Sequence, residues 1–327
     1  IYTGEDTLSL HDALPISLSS PLRWTGYTGV GFSRISVNPS LSIIYKLNYA
    51  WRFTVHASYK ERYGEMTDLY DRPYQTDYRN SVWNCGILPV YRQQLYSVYG
   101  EYKNTAREFF ATVNLTHNRE WYNRIYEQRI ENGQIQRVSL PLSNHGSGYT
   151  VKSTLSKGFY DLGLKTSFLA LLNISKAEQI SGGQRLPYQY RLMRLEPKVI
   201  WTPNRHWETS YQTDIRYGGS KIGERTRLAP LWNVTQQVQL SYIFSPIEAS
   251  LSVDHYHNDV NEDQSVNAVF ADFSVLWKSR RWQITATATN LFDKRTYAYT
   301  RYASLESYTS WVRIRPREFL VAIRYQL

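Results

Sequence analysis

Apolar and polar residues take turns along most of this chain. In 281–290 (RWQITATATN), Trp282, Ile284, Ala286 and Ala288 fall on one side, with Gln283, Thr285, Thr287 and Thr289 on the other. In the last nine residues Phe319, Val321, Ile323, Tyr325 and Leu327 alternate with Leu320, Ala322, Arg324 and Gln326. The same spacing links Val269, Ala271, Phe273, Val275 and Trp277, and sets Ile247, Ala249, Leu251 and Val253 against Glu248, Ser250, Ser252 and Asp254. It returns in Phe109, Ala111, Val113 and Leu115, and in Trp51, Phe53, Val55, Ala57 and Tyr59. A helix would group apolar residues three and four apart, whereas a period of two belongs to strands with one apolar face.

The connections between these runs are of two kinds. Short turns are predicted around Tyr49-Ala50, 103–106, 160–163, 203–206, Ser245-Pro246 and 279–281. Long polar loops are predicted at 64–90, 119–147, 176–188, 218–230, 258–265 and 291–316. Within the second, Glu131-Asn132-Gly133 reads as a type I′ turn between strands at 124–130 and 134–140, because both central positions of that turn need positive φ. Tight turns at one end and long loops at the other characterise transmembrane barrels, whereas a Greek-key sandwich mixes its links.

About thirteen strands result, with a further one near 22–37, each near the ~9–11 residues that cross a bilayer. The expected fold is all-β: an antiparallel up-and-down transmembrane β-barrel, partial at 13–14 strands, over residues 18–327. Phe319, Val321, Ile323, Tyr325 and Leu327 should face lipid together with Ala286 and Ala288, leaving Thr285, Thr287, Arg324 and Gln326 inside. Aromatics at strand ends (Trp51, Tyr59, Trp201, Trp207, Tyr217, Tyr242, Phe244, Trp277, Trp282) suit interfacial girdles. A soluble all-β protein would need a second apolar layer, and the opposite faces are too polar to supply one.

Composition refines this picture. The 327 residues include 28 Tyr and 10 Trp but only 2 Met and 1 Cys. A mean hydropathy of -0.50 is compatible with a membrane barrel, where only alternate residues meet lipid. Lone Cys85 excludes an internal disulfide and a thiolate cluster. The net charge of +10 is spread singly among strands, without the block or stripe that would bind nucleic acid. Residues 1–17 share no pattern with the rest and read as a non-native segment resembling translated adapter sequence, or as a linker. The chain opens on Ile1-Tyr2 with no initiator Met or signal peptide, so an upstream region is expected.

Two stretches carry a family likeness. Ala288-Thr289-Asn290-Leu291-Phe292-Asp293-Lys294-Arg295-Thr296-Tyr297 resembles the end of the penultimate strand of TonB-dependent receptors, and Arg315-Pro316-Arg317 leading into 318–327 resembles their last strand. Segments 39–48 and 99–104 are similar to the outer-membrane barrel family of Bacteroidota. The family ends in Phe where this chain has Leu327. The resemblance implies a barrel of about 22 strands, plugged by an N-terminal domain, that imports a scarce solute. Implied partners are outer-membrane lipid and lipopolysaccharide, the barrel-assembly machinery, an unidentified small solute, and the TonB complex reached through an N-terminal region expected upstream. No cofactor is implied. A structural or adhesive barrel without TonB coupling is the alternative.

Candidate chemistry is sparse. No nucleophile elbow, zinc-protease helix or P-loop occurs, so no catalytic residue is assigned and no enzyme is expected. His255 and His257 share a strand face near Asp259 and Asp263, but read as interfacial residues. The D-x-N-x-D run from Asp259 lacks the Gly and Glu of a calcium loop, having Gln264 and Phe270 there; no metal is assigned. Glu101, Asp214, Glu248, Asp254 and Asp272, among Arg52, Lys152, Lys165 and Arg216, are expected to form ion pairs supporting the lumen wall. Loop 291–316 gathers Tyr297, Tyr299, Arg301, Tyr302, Tyr308, Trp311 and Arg313, whose rings and guanidinium forks suit a planar, anionic or sugar-like solute.

Overall fold

The computed structural model describes residues 15–27, 32–131, 134–223, 226–261, 263–303 and 306–326. Fourteen strands form one antiparallel meander. It begins with β1 (Ile16–Ser19), β2 (Ser40–Lys46), β3 (Trp51–Tyr63), β4 (Val90–Asn104) and β5 (Phe109–Tyr122). It continues through β6 (Asn144–Phe159), β7 (Leu164–Ser181), β8 (Gln184–Asn204), β9 (Trp207–Ile222) and β10 (Thr226–Phe244). It ends with β11 (Ile247–Asp259), β12 (Ser265–Lys278), β13 (Trp282–Thr289) and β14 (Glu318–Tyr325). Each strand pairs with its neighbours in this order, as an up-and-down barrel wall requires.

Register lines up the apolar faces across the wall. Leu251 lies opposite Leu240 and Phe273, Phe273 opposite Ala288, and Ala288 opposite Phe319. On the other flank Leu172 meets Val151 and Met193, and the line runs on through Leu115, Val98, Val55, Ile43 and Ile16. Val55, Val98 and Leu115 are each 47% exposed. Apolar residues in mid-strand, half-buried to exposed and aligned from strand to strand, make the outer surface of a barrel whose solvent on that side is lipid. A one-residue slip in any strand would put its polar face there instead.

Rings mark the two edges of the band. At the short-turn end, Trp51 and Tyr102, Trp207 and Tyr242, and Trp282 and Tyr325 are direct cross-strand partners with centroids 4.7 Å apart in every case. Towards the other end His117 stacks on Tyr149 at 4.3 Å and Tyr217 meets Trp232 at 4.8 Å. From Trp207 to Tyr217 the chain rises roughly 34 Å along the strand, which a ~45° tilt reduces to about 24 Å, the height of an outer-membrane apolar band.

The opposite face lines the lumen and is tied by charge. Arg52 pairs with Glu101 at 3.3 Å, Lys278 with Glu248 at 2.6 Å, and Asp214 with both Arg194 (3.0 Å) and Arg216 (2.6 Å). Lys152 and Lys165, expected among these pairs, have no ion-pair partner among the described residues.

Several sequence expectations need correction. Residues 22–37 do not add a wall strand: Leu22–Tyr27 and Phe32–Val37 form a separate hairpin. The additional wall strand is β1, so Ile16 and Ser17 of the excluded segment belong to the sheet. Segments 176–188 and 218–230 are not long loops. There β7, β8, β9 and β10 continue past the membrane band as paired strands of 16 to 21 residues. Gly182 and Gly183, at φ 58° and 77°, turn β7 into β8 with Ser181 opposite Gln184, since two glycines supply the positive φ of a two-residue hairpin without strain. Glu131 opposite Gln134 fits the turn expected at Asn132-Gly133, two residues outside the described set.

The meander's two ends, β1 and β14, share no residue pairs among the described residues. All eight residues of β14 are exposed, Leu320 on the inner face (64%) as much as Val321 on the outer (64%). Phe319, Val321, Ile323 and Tyr325 lie opposite Ala288, Ala286, Ile284 and Trp282, on one face, and Arg324 opposite Gln283 on the other; Leu327 lies outside the described residues.

Candidate functional site

The long-loop end carries a second, smaller layer. Ile125–Glu131 and Gln134–Leu140 form a ribbon, joined in parallel by Asn80–Trp83 along its second strand and touching β7 where Glu127 lies opposite Ile180. One ribbon face supplies Ile125, Glu127 and Val138, all buried with Ile180. The Glu127 carboxylate accepts two hydrogen bonds from Arg129 and one from the Gly183 N–H, fixing the ribbon to the β7–β8 turn. Arg124 reaches Asp68 at 2.9 Å, securing the 3-10 turn Met66–Leu69, and Cys85 lies 3.4 Å from the Ser139 hydroxyl.

The other ribbon face closes a cavity of about 680 Å³ against the lumen side of β5, β6 and β7. This volume lies in the ordinary range for small-molecule sites. Tyr126, Gln128 and Arg137 line it from the ribbon, with Asn118, Glu120, Tyr122 and Asn144 from the wall. The Arg137 guanidinium sits 3.7 Å from the centre of the Tyr126 ring, and that of Arg124 at 5.0 Å. Burial pushes the Tyr126 hydroxyl above its ordinary value, against the pull of both arginines. Glu120 is enclosed by donors: Tyr91, Gln93 and Asn118 on one oxygen and Tyr122 on the other.

This site was missed by sequence reasoning, which weighted loop composition over register. The signal was present in the Asn132-Gly133 pair of the sequence. The register of the flanking strands sets Gln128 opposite Arg137, placing Arg137 diagonal to Tyr126 on one face, within reach of a long side chain.

Segment 291–316 is itself largely a hairpin, Thr296–Ala303 with Glu306–Arg313, leaning over the lumen side of the wall. Asn258 donates to the Ala298 carbonyl at 3.1 Å and Thr300 to that of Val260 at 3.1 Å; Ala298 and Thr300 are buried. The seven candidates do not converge. Tyr297, Tyr299, Arg301 and Tyr308 occupy one set of alternating positions, and Tyr302, Trp311 and Arg313 the other. The side chains of Arg301, Tyr302 and Tyr308 lie outside the described part. Tyr297 lies tilted beside Tyr299 (5.9 Å) and edge-on to Tyr256 (5.2 Å), whereas Trp311 is 67% exposed. A cavity of about 650 Å³ beside Tyr297 is bounded, among the described residues, by Asp254, Asp272 and Glu318 against the single cation Arg315. Its lining is therefore more acidic than the loop composition implied.

The motif residues hold this hairpin. Asn290 (φ 50°) and Asp293 (φ 50°) occupy the left-handed region, which Asn and Asp tolerate better than other side chains. The Asn290 carboxamide donates to the Lys294 and Arg315 carbonyls at 2.8 Å each and accepts the Lys294 N–H at 3.0 Å. Its own N–H meets Asp272 at 2.7 Å, and the Leu291 N–H meets the Ala271 carbonyl at 2.8 Å. Asp293 accepts the Arg317 N–H at 3.0 Å and pairs with Arg295 at 2.9 Å. Phe292 is exposed, and Arg315 and Pro316 edge the cavity. Asn290 and Asp293 thus act as a structural clasp.

His255 and His257 occupy outward positions above the apolar band, bonded to Gln236 (3.2 Å) and Asn267 (2.9 Å), with Asp259 3.4 Å from His257. No cluster of metal-ligating side chains occurs among the described residues.

No family model and no curated protein matches the sequence. Among solved structures, the chain is similar to BauA, the ferric preacinetobactin receptor from Acinetobacter baumannii. The TM-score is 0.52 at 9% identity, covering 97% of this chain and 55% of that one. It also matches the FrpB iron transporter from Neisseria meningitidis (F3-3 variant), with TM-score 0.49, 9% identity, and 81% and 44% covered. The chain spans about half the length of these structures. The likeness to BauA concerns the fold alone.

Proposed function

We propose that this chain is the wall and outer mouth of a TonB-dependent outer-membrane receptor that takes up a small solute, binding it without catalysis. The observation that carries the reading is the cavity of about 680 Å³ held between the ribbon and the lumen face, at the long-loop end of a lipid-facing wall. A solute captured there lies above the lumen and outside the apolar band. The motif that resembles TonB-dependent receptors fits the same reading, because its Asn290 and Asp293 clasp a hairpin over that lumen. Uptake through such a receptor draws its energy from the TonB complex.

The test is deletion of the gene in its host, with growth scored on a panel of limiting nutrients. The reading expects loss of growth on one nutrient, restored by the full-length gene and abolished by a protonophore. Unchanged uptake across the panel, together with lost surface attachment, would favour an adhesive barrel.

A further inference from the structure

The charges in the ribbon cavity's lining are unequally matched. Among the described residues three carboxylates border it, and each is already engaged. Asp77 accepts from the backbone of Arg79 and Asn80 and from the Asn80 side chain. Glu178 pairs with Arg185 at 3.0 Å, and four side-chain donors surround Glu120. Of the two described arginines that line the cavity, Arg124 is committed to Asp68. Arg137 is not: among the described residues its guanidinium has the Tyr126 ring beneath it and no carboxylate partner. Stacking on a ring fixes the plane of a guanidinium while leaving its N–H edges free for a bidentate acceptor. A second group in the lining also lacks its complement. The Asn144 carboxamide donates to the Glu178 carbonyl at 3.1 Å, while its buried Oδ1 accepts nothing. A buried acceptor without a donor is costly, and a ligand hydroxyl would satisfy it once the Asn144 amide turned its oxygen toward the cavity.

We propose that this cavity binds a sugar acid, whose carboxylate is received by Arg137 and whose hydroxyls meet neutral groups such as Asn144, Gln128 and Asn118. The assignment rests on the uptake reading for its purpose, though binding itself does not require transport. Among the described residues Lys176 is the other lining cation without a carboxylate partner, and it lacks the fork and the ring that orient Arg137; neutral donors and acceptors make up most of the remaining lining, which matches few charges among many hydroxyls.

The experiment is calorimetric titration of the full-length receptor in detergent with galacturonate and with its methyl ester, which keeps the hydroxyls and removes the charge. The wild type should bind the acid about tenfold or more tightly than the ester, in line with a charged hydrogen-bonded pair at a partly open site. Arg137→Gln should weaken acid binding by a similar factor and erase the preference, while Arg137→Lys should keep part of it, since charge remains but the fork does not. Equal affinity of acid and ester for the wild type, a preference that survives Arg137→Gln, or no binding of either up to roughly 10 mM would each overturn the proposal. Uptake is scored separately. Transport of another nutrient, unaffected by Arg137→Gln, would sink this inference and leave the transport reading; binding without any uptake would do the reverse.

Discussion

Asn290 donates from its side chain to the Arg315 carbonyl at 2.8 Å, joining the two ends of a hairpin that are 25 residues apart in sequence. The bond closes the base of Thr296–Arg313 against β13 and β14, so one carboxamide decides where that hairpin leaves the wall.

Replacing Asn290 with Ala removes three side-chain hydrogen bonds and places a less tolerant residue at φ 50°. The expected local cost is about 1–3 kcal/mol. Hydrogen exchange should quicken at Ala298 and Thr300, while the barrel keeps its heat-modifiable mobility on gels. Unchanged exchange there would remove the clasp from the account.

The second half of the clasp should depend on pH. Hydrogen bonds from Arg295 and the Arg317 N–H hold the Asp293 carboxyl below its ordinary value. A depressed carboxyl contributes attachment that is complete above its unfolded pKa and is lost as pH falls through the lower folded value. Protection of the Arg317 amide should therefore persist at neutral pH and fade only below the ordinary aspartate range near 3.8. In Asp293→Asn that acid step should be absent, and an unaltered step would assign it elsewhere.

The ribbon should depend on Glu127. Its carboxylate is nearly inaccessible and is the acceptor shared by Arg129 and Gly183. Glu127→Ala should loosen the ribbon by about 1–3 kcal/mol, as loss of charged hydrogen bonds does. Trypsin should then cut at Arg129 or Arg137 in intact cells faster than in the wild type, with the wall uncut. Equal cleavage rates would show that the apolar contacts of Ile125, Val138 and Ile180 hold the ribbon without it.

How much of this was legible in the sequence follows from what each segment meets. Within the bilayer one face sees lipid and the other polar lumen, so Leu251 and Val253 alternate cleanly with Ser250 and Ser252 and the strand is unmistakable. Above the band both faces meet water. Around Lys176, Glu178, Gln184 and Arg185 the alternation fades although backbone pairing continues, which is why 176–188 resembled a loop and the Gly182-Gly183 turn went unread. The ribbon cavity went unread for a related reason. Aromatic and basic content singled out 297–313, but register divides those residues between two faces, whereas Tyr126 and Arg137 share one.

The lipid face should reject charge that the lumen face accepts. In the full-length protein Leu251→Arg places a cation in the apolar band and should destabilise the barrel by about 2–4 kcal/mol. Ser252→Arg, one residue on, points into the lumen beside Asp272 and should assemble normally. Equal amounts of heat-modifiable barrel from both variants would contradict the assigned faces.

The most direct measurement of the central claim is spin-label accessibility along β11. With Cys85 replaced by Ser in the full-length protein in bilayers, single labels are placed at 249, 250, 251, 252 and 253. Labels at Ala249, Leu251 and Val253 should collide with lipid-soluble oxygen, and those at Ser250 and Ser252 with a water-soluble nickel chelate. A period-two exchange between the two reagents is the predicted result. The inverse phase, or no alternation at all, would contradict a lipid-facing barrel wall.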